Sequence, residues 1–197
     1  MVRGAENGGT ATGMKTICVF GSSRREEGGD LYRQAYELGG LLARAGYAVL
    51  TGGYAGSMGA ASRGAAEAGG RVIGVTCAIF DPTPPNPWLT EEIKAPSLLA
   101  RLETMLDSAD GFVAVRGGIG TLSEITLAWS LLQTRSLSGG TPLVLLGAEW
   151  QAVLDSLLAH TDLSRSIASL ARIAATPVDA LAALTAPPTP LGPPPAG

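Results

Sequence analysis

Charge, aromatic side chains, histidine and cysteine are all scarce in this chain, and each scarcity closes off a class of protein. Only 16% of the 197 residues are charged, and the formal net charge is −3. A chain so balanced lacks the basic surface that a phosphate-neutralising nucleic-acid binder needs, so no nucleic-acid partner is expected. The two cysteines, Cys18 and Cys77, each lie in or beside an apolar run, which makes them reduced core thiols and implies no disulfide framework. A single histidine, His160, and the lack of a CxxC spacing leave no zinc site, and no metal is expected. No apolar run approaches the roughly 20 residues of a membrane span, so no membrane partner is expected either. Residues 1–13 are Gly-rich and lack the apolar stretch of a signal peptide. They read as a disordered leader, with a cytoplasmic location by default. Aromatics make up 5% of the chain, and the three tryptophans (Trp88, Trp129, Trp150) are its few large anchors, suited equally to a core or an interface.

What is plentiful is glycine, at 27 residues, within a chain that is 46% apolar. That balance suits a compact α/β domain with many tight strand–helix turns. At this length one domain is expected, over residues 14–185, followed by a Pro-rich tail (186–197) that cannot pack. Short apolar runs at 16–20, 47–50, 71–76, 142–146 and 172–175 read as strands, and 91–95 as a further short strand. Between them, 31–44, the Ala-rich stretch after 59, the stretch opened by Pro96-Ser97, 150–159 and 178–184 read as helices. The third of these has an apolar face of Leu98, Leu99, Leu102, Met105 and Leu106. The alternation of strands and helices, with short connections and right-handed crossovers, predicts a Rossmann-like three-layer fold with a central parallel sheet. The loop Asp81-Pro82-Thr83-Pro84-Pro85-Asn86-Pro87 is too stiff for helix and suits a lid or a partner surface.

The stretch around which the rest is organised is Val113-Ala114-Val115-Arg116-Gly117-Gly118-Ile119-Gly120-Thr121-Leu122-Ser123-Glu124. It predicts a buried strand, a glycine turn, and a helix from about 122 to 133 with Thr121 as N-cap. The free N–H groups and partial positive charge of a helix N-terminus make a ready phosphate site. Glu124 is the one acid here, and two readings stand side by side. Thr121-Leu122-Ser123-Glu124 is a capping box, in which the glutamate merely reaches back to the N-cap; alternatively, the carboxylate faces the ligand and does chemistry. A second glycine-rich turn, Thr51-Gly52-Gly53-Tyr54-Ala55-Gly56-Ser57-Met58-Gly59, follows the second strand. Gly21-Ser22-Ser23 after the first strand offers donors suited to phosphate or ribose oxygens, though an ordinary polar turn explains it as well. Both glycine loops are expected at the C-terminal edge of adjacent central strands, where such sheets bind ligands.

Familiar nucleotide motifs are missing. There is no GxxxxGK[ST], which excludes a P-loop NTPase. The first strand–helix turn lacks GxGxxG, and the second strand ends without an acid for a ribose hydroxyl, which argues against an NAD dehydrogenase. The pair of glycine loops instead resembles the LONELY GUY (LOG) type phosphoribohydrolases, a family often labelled "lysine decarboxylase". Cys18-Val19-Phe20-Gly21-Ser22-Ser23 looks like the family's opening strand and turn. Residues 51–59 are similar to its GGGxxGLMG loop, and residues 116–124 to its PGGxGTxxE motif. The resemblance covers about residues 17–184. It implies a dimeric Rossmann-like enzyme that hydrolyses the N-glycosidic bond of a nucleoside 5′-monophosphate to free base and ribose 5-phosphate. No cofactor is implied. The family's arginine falls on Arg101 and its glutamate on Glu124. Phosphate and substrate contacts fall on Gly21, Ser22 and Ser23, on Gly52, Gly53, Ser57, Met58 and Gly59, and on Gly117, Gly118, Ile119, Gly120 and Thr121.

Arg116 stands where the family has proline, Ala100-Arg101-Leu102 where it has Glu-Arg-Lys, and Tyr54 interrupts the triple glycine. These departures mark a divergent branch. The decarboxylase label fails on chemistry: a pyridoxal phosphate enzyme needs a Schiff-base lysine, and the only lysines, Lys15 and Lys94, lie on neither glycine turn. Arg101 cannot serve as a base, because guanidinium keeps its proton. The alternative to a hydrolase is a nucleotide-binding protein of the same fold without catalysis.

Overall fold

The computed structural model describes residues 13–24, 28–137 and 140–187. The expected leader and Pro-rich tail therefore lie almost wholly outside the described residues. Seven strands form one all-parallel sheet in the order β4-β3-β2-β1-β5-β6-β7. The strands are β1 (Thr16–Phe20), β2 (Ala48–Thr51), β3 (Val72–Cys77), β4 (Glu91–Ala95), β5 (Gly111–Val115), β6 (Leu143–Leu146) and β7 (Ala171–Ala174). The helices are α1 (Asp30–Arg44), α2 (Ser57–Glu67), α3 (Leu98–Asp107), α4 (Ile119–Gln133), α5 (Trp150–His160), α6 (Arg165–Ala168) and α7 (Pro177–Thr185), with a single 3-10 turn at Ala78–Phe80. The central strands β1, β2, β5 and β6 are buried throughout, as continuous apolar runs in a parallel sheet must be.

Alternating residues along each strand feed two cores, which gives the expected three layers. Cys18, Phe20, Leu50 and Phe112 pack with Met105 of α3, Ile125 and Trp129 of α4, and Trp150 and Leu154 of α5. Ile17, Val19, Val49 and Val113 pack with Leu38 and Leu42 of α1, Ala61 and Ala65 of α2, and Leu184 of α7. Trp129 and Trp150 are thus core residues. The small residues of α2 let it lie almost on the backbone of α1. A Cβ on Gly39 would come within 2.0 Å of the Ala61 carbonyl oxygen, and one on Gly64 within 1.9 Å of that of Tyr36.

The sheet order corrects one expectation. β2 and β5, which launch the two glycine loops, are not adjacent; each pairs with β1, which lies between them. Connections run from β1 outward through β2, β3 and β4, then return to β5 on the other side. The reversal between β1 and β5 opens a crevice at the C-terminal ends of these strands, and there all three loops meet.

Candidate functional site

Helix α4 starts earlier than the residue pattern suggests. Its N-cap is Gly118, with no side-chain cap, and Leu122 N donates to the Gly118 carbonyl at 3.0 Å. Thr121 is therefore not the cap but sits in the first turn, buried, with its Oγ1 filling the space a Gly117 side chain would take. The capping-box reading of Glu124 fails with it. Glu124 lies in the second turn, where its carboxylate turns inward.

There it meets Arg101. One Nη of Arg101 donates to Glu124 Oε1 at 3.2 Å, and Arg101 Nε donates to the Val75 carbonyl at 2.8 Å. Each residue is only 5% exposed. The guanidinium fits because residue 52 has no side chain: a Cβ on Gly52 would stand 1.9 Å from Arg101 Nη2 and 2.6 Å from Met58 Sδ. Gly52, expected to touch substrate, thus also makes room for the arginine, and Met58, of the same expected set, places its Sδ beside residue 52. Burial pushes the Glu124 carboxyl up to about 7; the charge and hydrogen bond of Arg101 pull it back only in part. Cys18 lies beneath the pair, and burial, reinforced by the charge of Glu124, raises its thiol well above its ordinary range. It is not a nucleophile.

On the other side of the crevice the loops are stitched together. Gly56 is in the left-handed region (φ 71°), and a Cβ there would strike the backbone of Ser22, Ser23 and Arg24 at 2.3–2.7 Å. Ser57 N donates to the Ser22 carbonyl at 3.0 Å, and Ser57 Oγ donates to the same oxygen at 3.2 Å. Gly21 leaves room for that hydroxyl. Helix α2, like α4, begins at a glycine N-cap without a side-chain cap. These two helix ends and the β1 loop enclose a pocket of about 310 Å³. Its wall brings together Ser22, Ser57, Gly117 and Gly118 from the expected set, and adds Arg24, Leu31, Tyr32, Gly56 and Arg116. Among the described residues, two arginines and no carboxylate line it, which suits an anion.

The remaining expected residues are used differently. Gly53 (φ 78°) accepts from Asn86 N through its carbonyl at 2.8 Å, and so anchors the Pro-rich loop. Asn86, buried, also donates from Nδ2 to the Tyr54 carbonyl at 3.2 Å, so that loop is tied down rather than free as a lid. Gly59 faces a second pocket of about 430 Å³ formed with that loop. Ser23, Ile119 and Gly120 are exposed outside the wall of the first pocket. Arg101 and Glu124 do not line that pocket either. They stand on the α3–α4 face of the sheet edge, whereas Leu31 and Tyr32 put the pocket on the α1–α2 face. Arg24 was not singled out from the sequence, although its place directly after Gly-Ser-Ser was a signal; Tyr32 gave none.

Several known proteins are similar to this chain. The Escherichia coli K12 protein named pyrimidine/purine nucleotide 5′-monophosphate nucleosidase is 32% identical over 74% of the chain, which covers 34% of that protein. A rice protein (Oryza sativa subsp. japonica) named probable cytokinin riboside 5′-monophosphate phosphoribohydrolase LOGL5 is 32% identical over 78% of the chain, covering 61% of its own length. The chain therefore spans about a third of one curated relative and about three fifths of the other. Among solved structures, the molybdenum cofactor binding protein of the phototrophic bacterium Rippkaea orientalis superposes with a TM-score of 0.69 at 26% identity, over 87% of this chain and 96% of that one. A family model describing the SLOG cluster4 family matches residues 14–156. With its Rossmann-like sheet, its paired glycine loops and that match over most of its length, the chain belongs to the SLOG cluster4 family.

Proposed function

We propose that the protein hydrolyses the N-glycosidic bond of a nucleoside 5′-monophosphate, releasing the free base and ribose 5-phosphate. The observation that carries this reading is the buried Arg101–Glu124 pair at the edge of the switch crevice, beside two uncapped helix N-termini. The names of the Escherichia coli and rice relatives support the same substrate class. The 5′-phosphate sits in the first pocket, on the N–H groups around Gly117 and Gly118, the hydroxyls of Ser22 and Ser57, and the guanidinium groups of Arg24 and Arg116. The ribose reaches over the end of β1 toward Glu124.

As the bond from the anomeric carbon to the base breaks, the electron pair leaves with the base and the sugar becomes oxocarbenium-like. Ionised Glu124 stabilises that cation or takes the proton of the attacking water; the water's oxygen ends on the anomeric carbon and that proton ends on the departing base. Arg101 holds the carboxylate in place and favours its charged form. A Glu124 carboxyl near 7 is matched to this task at neutral pH.

A second reading, nucleotide binding without turnover, is favoured by how closed the pair is: each side chain is 7% exposed. One experiment separates the two. The pure protein is incubated with a panel of nucleoside monophosphates, and free base is measured by chromatography alongside nucleotide binding. Base release that falls by at least ~10²-fold in Glu124→Gln supports the hydrolase. Wild-type binding with no base release hands the site to the second reading. Equal rates in wild type and variant remove Glu124 from the mechanism.

A further inference from the structure

The second pocket, of about 430 Å³, meets the first at two shared residues, Tyr32 and Gly56. A monophosphate reading leaves it unused. Its chemistry differs from that of the first pocket. Trp88 forms one wall, and prolines 84, 85 and 87 form a stiff rim. That rim is fixed from beneath by Asn86, whose Oδ1 accepts from Trp88 N at 3.1 Å. Arg63 supplies a flat cation, its guanidinium carbon 5.4 Å from the centre of the Trp88 ring and 5.7 Å from that of Tyr36. Arg63 is held in this place by Glu67, whose Oε1 accepts from Nε at 2.8 Å. Among the described residues, no carboxylate lines either pocket.

A preset indole and guanidinium among prolines form a poor site for a lone phosphate and a good platform for a planar heterocycle, because bases stack on aromatic rings and on arginine planes. Such a base must be joined to whatever occupies the first pocket, across the short boundary at Tyr32 and Gly56. Arg24 and Arg116 on the near side offer more positive charge than one phosphate needs, whereas Arg63 on the far side is paired with Glu67 and serves as a stacking surface. We propose that the pocket beside Trp88 seats a second base, so that the preferred ligand is a dinucleotide whose 5′–5′ diphosphate lies along the Tyr32–Gly56 boundary. This inference rests on the nucleotide reading above and extends it at the 5′ end, away from Glu124.

The test compares AMP, ADP and diadenosine 5′,5′-diphosphate as ligands of the full chain, by calorimetry and by tryptophan fluorescence. Trp129 and Trp150 are buried in the core, so quenching by a stacked base reports on Trp88. The expected result is that the dinucleotide binds at least about tenfold tighter than AMP and quenches the emission, while ADP does neither. In Trp88→Ala and in Arg63→Ala the ratio of the two affinities falls to near unity. Circular dichroism checks each variant's fold, and either variant alone carries the test if the other fails to fold. Equal affinity for AMP and the dinucleotide overturns the proposal, as does a ratio that survives both substitutions. An equal gain with ADP does so too, because the second pocket then holds phosphate alone. Base release from AMP is followed on the same wild-type samples: its absence with the affinity ratio intact sinks the hydrolase reading and leaves this one standing.

Discussion

At the scale of single residues, Glu124 is where folding and chemistry pull against each other. Its carboxyl is lifted from 4.5 to about 7, first by burial, with Arg101 offsetting only part of the cost through one 3.2 Å hydrogen bond. Between about pH 4.5 and 7 the folded protein therefore holds a proton that the unfolded chain has lost. The slope of stability against pH is then negative in that window: this site's contribution is greatest below pH 4.5, falls as pH rises, and levels off above 7. The shift corresponds to about 3 kcal/mol across the window. Glutamine does not titrate, so Glu124→Gln should remove this part of the pH dependence. Urea denaturation of wild type and variant at pH 5 and pH 8 measures it, and a parallel fall in both proteins would contradict the assignment. Base release should show the opposite trend, rising through about pH 7 because both roles given to Glu124 need the ionised form. The residue thus costs stability at the pH where the proposed reaction needs its ionised form, as functional groups in low-dielectric sites commonly do.

At the scale of elements, the pocket depends on how closely α2 lies against α1, because the N-terminus of α2 supplies Gly56 and Ser57. Helix propensity alone favours Gly64→Ala by about 1 kcal/mol. The structure predicts the reverse. The added Cβ would stand 1.9 Å from the Tyr36 carbonyl oxygen, a backbone atom that cannot turn aside. The helices must then separate, and overpacking of this kind costs about 1–3 kcal/mol. A lowered melting temperature, with nucleotide binding weakened as Ser57 shifts, is the expected outcome; a stabilised Gly64→Ala would show that α2 is free to move. Elements were also what the sequence revealed best. The buried strands are short, continuous apolar runs bounded by glycine, and helix starts such as Ser97, which accepts from Ala100 N, carry their own cap. Starts without a side-chain cap were harder to see. Gly118 caps α4 with backbone alone, so the polar Thr121 three residues later drew the boundary to itself. The single-turn helix α6 has too few residues to show a period and was not foreseen.

At the scale of the whole molecule, what the sequence withheld was the third dimension of the site. Arg101 and Glu124 are 23 residues apart on different helices, and only the family resemblance paired them; no local pattern links Arg24, Tyr32, Arg63 and Trp88, which four different stretches bring to the pockets. The same view exposes an uncovered surface. Apolar residues lie on every side of α4, and a helix of that kind is normally covered all round. Here the core takes Ile125, Ala128 and Trp129, while Ile119 (81% exposed), Leu122 and Leu127 face outward. On α3, next to Arg101, Leu98 and Leu99 (77% exposed) do the same, contrary to the core-facing role their spacing suggested. These residues lie on the same two helices as the buried pair, and exposed apolar side chains on one helix face suit an interface. The resemblance implies a second copy of the chain, and the exposed apolar residues of α3 and α4 are where it is expected to pack. Light scattering at micromolar concentration should then give twice the mass of 20.0 kDa. Leu99→Glu combined with Leu127→Glu should give a folded monomer, since both side chains stand clear of the core and their replacement buries no charge. If the partner's surface completes the site, that monomer should keep its circular dichroism and lose base release. A wild type that runs at the mass of one chain would rule out the dimer.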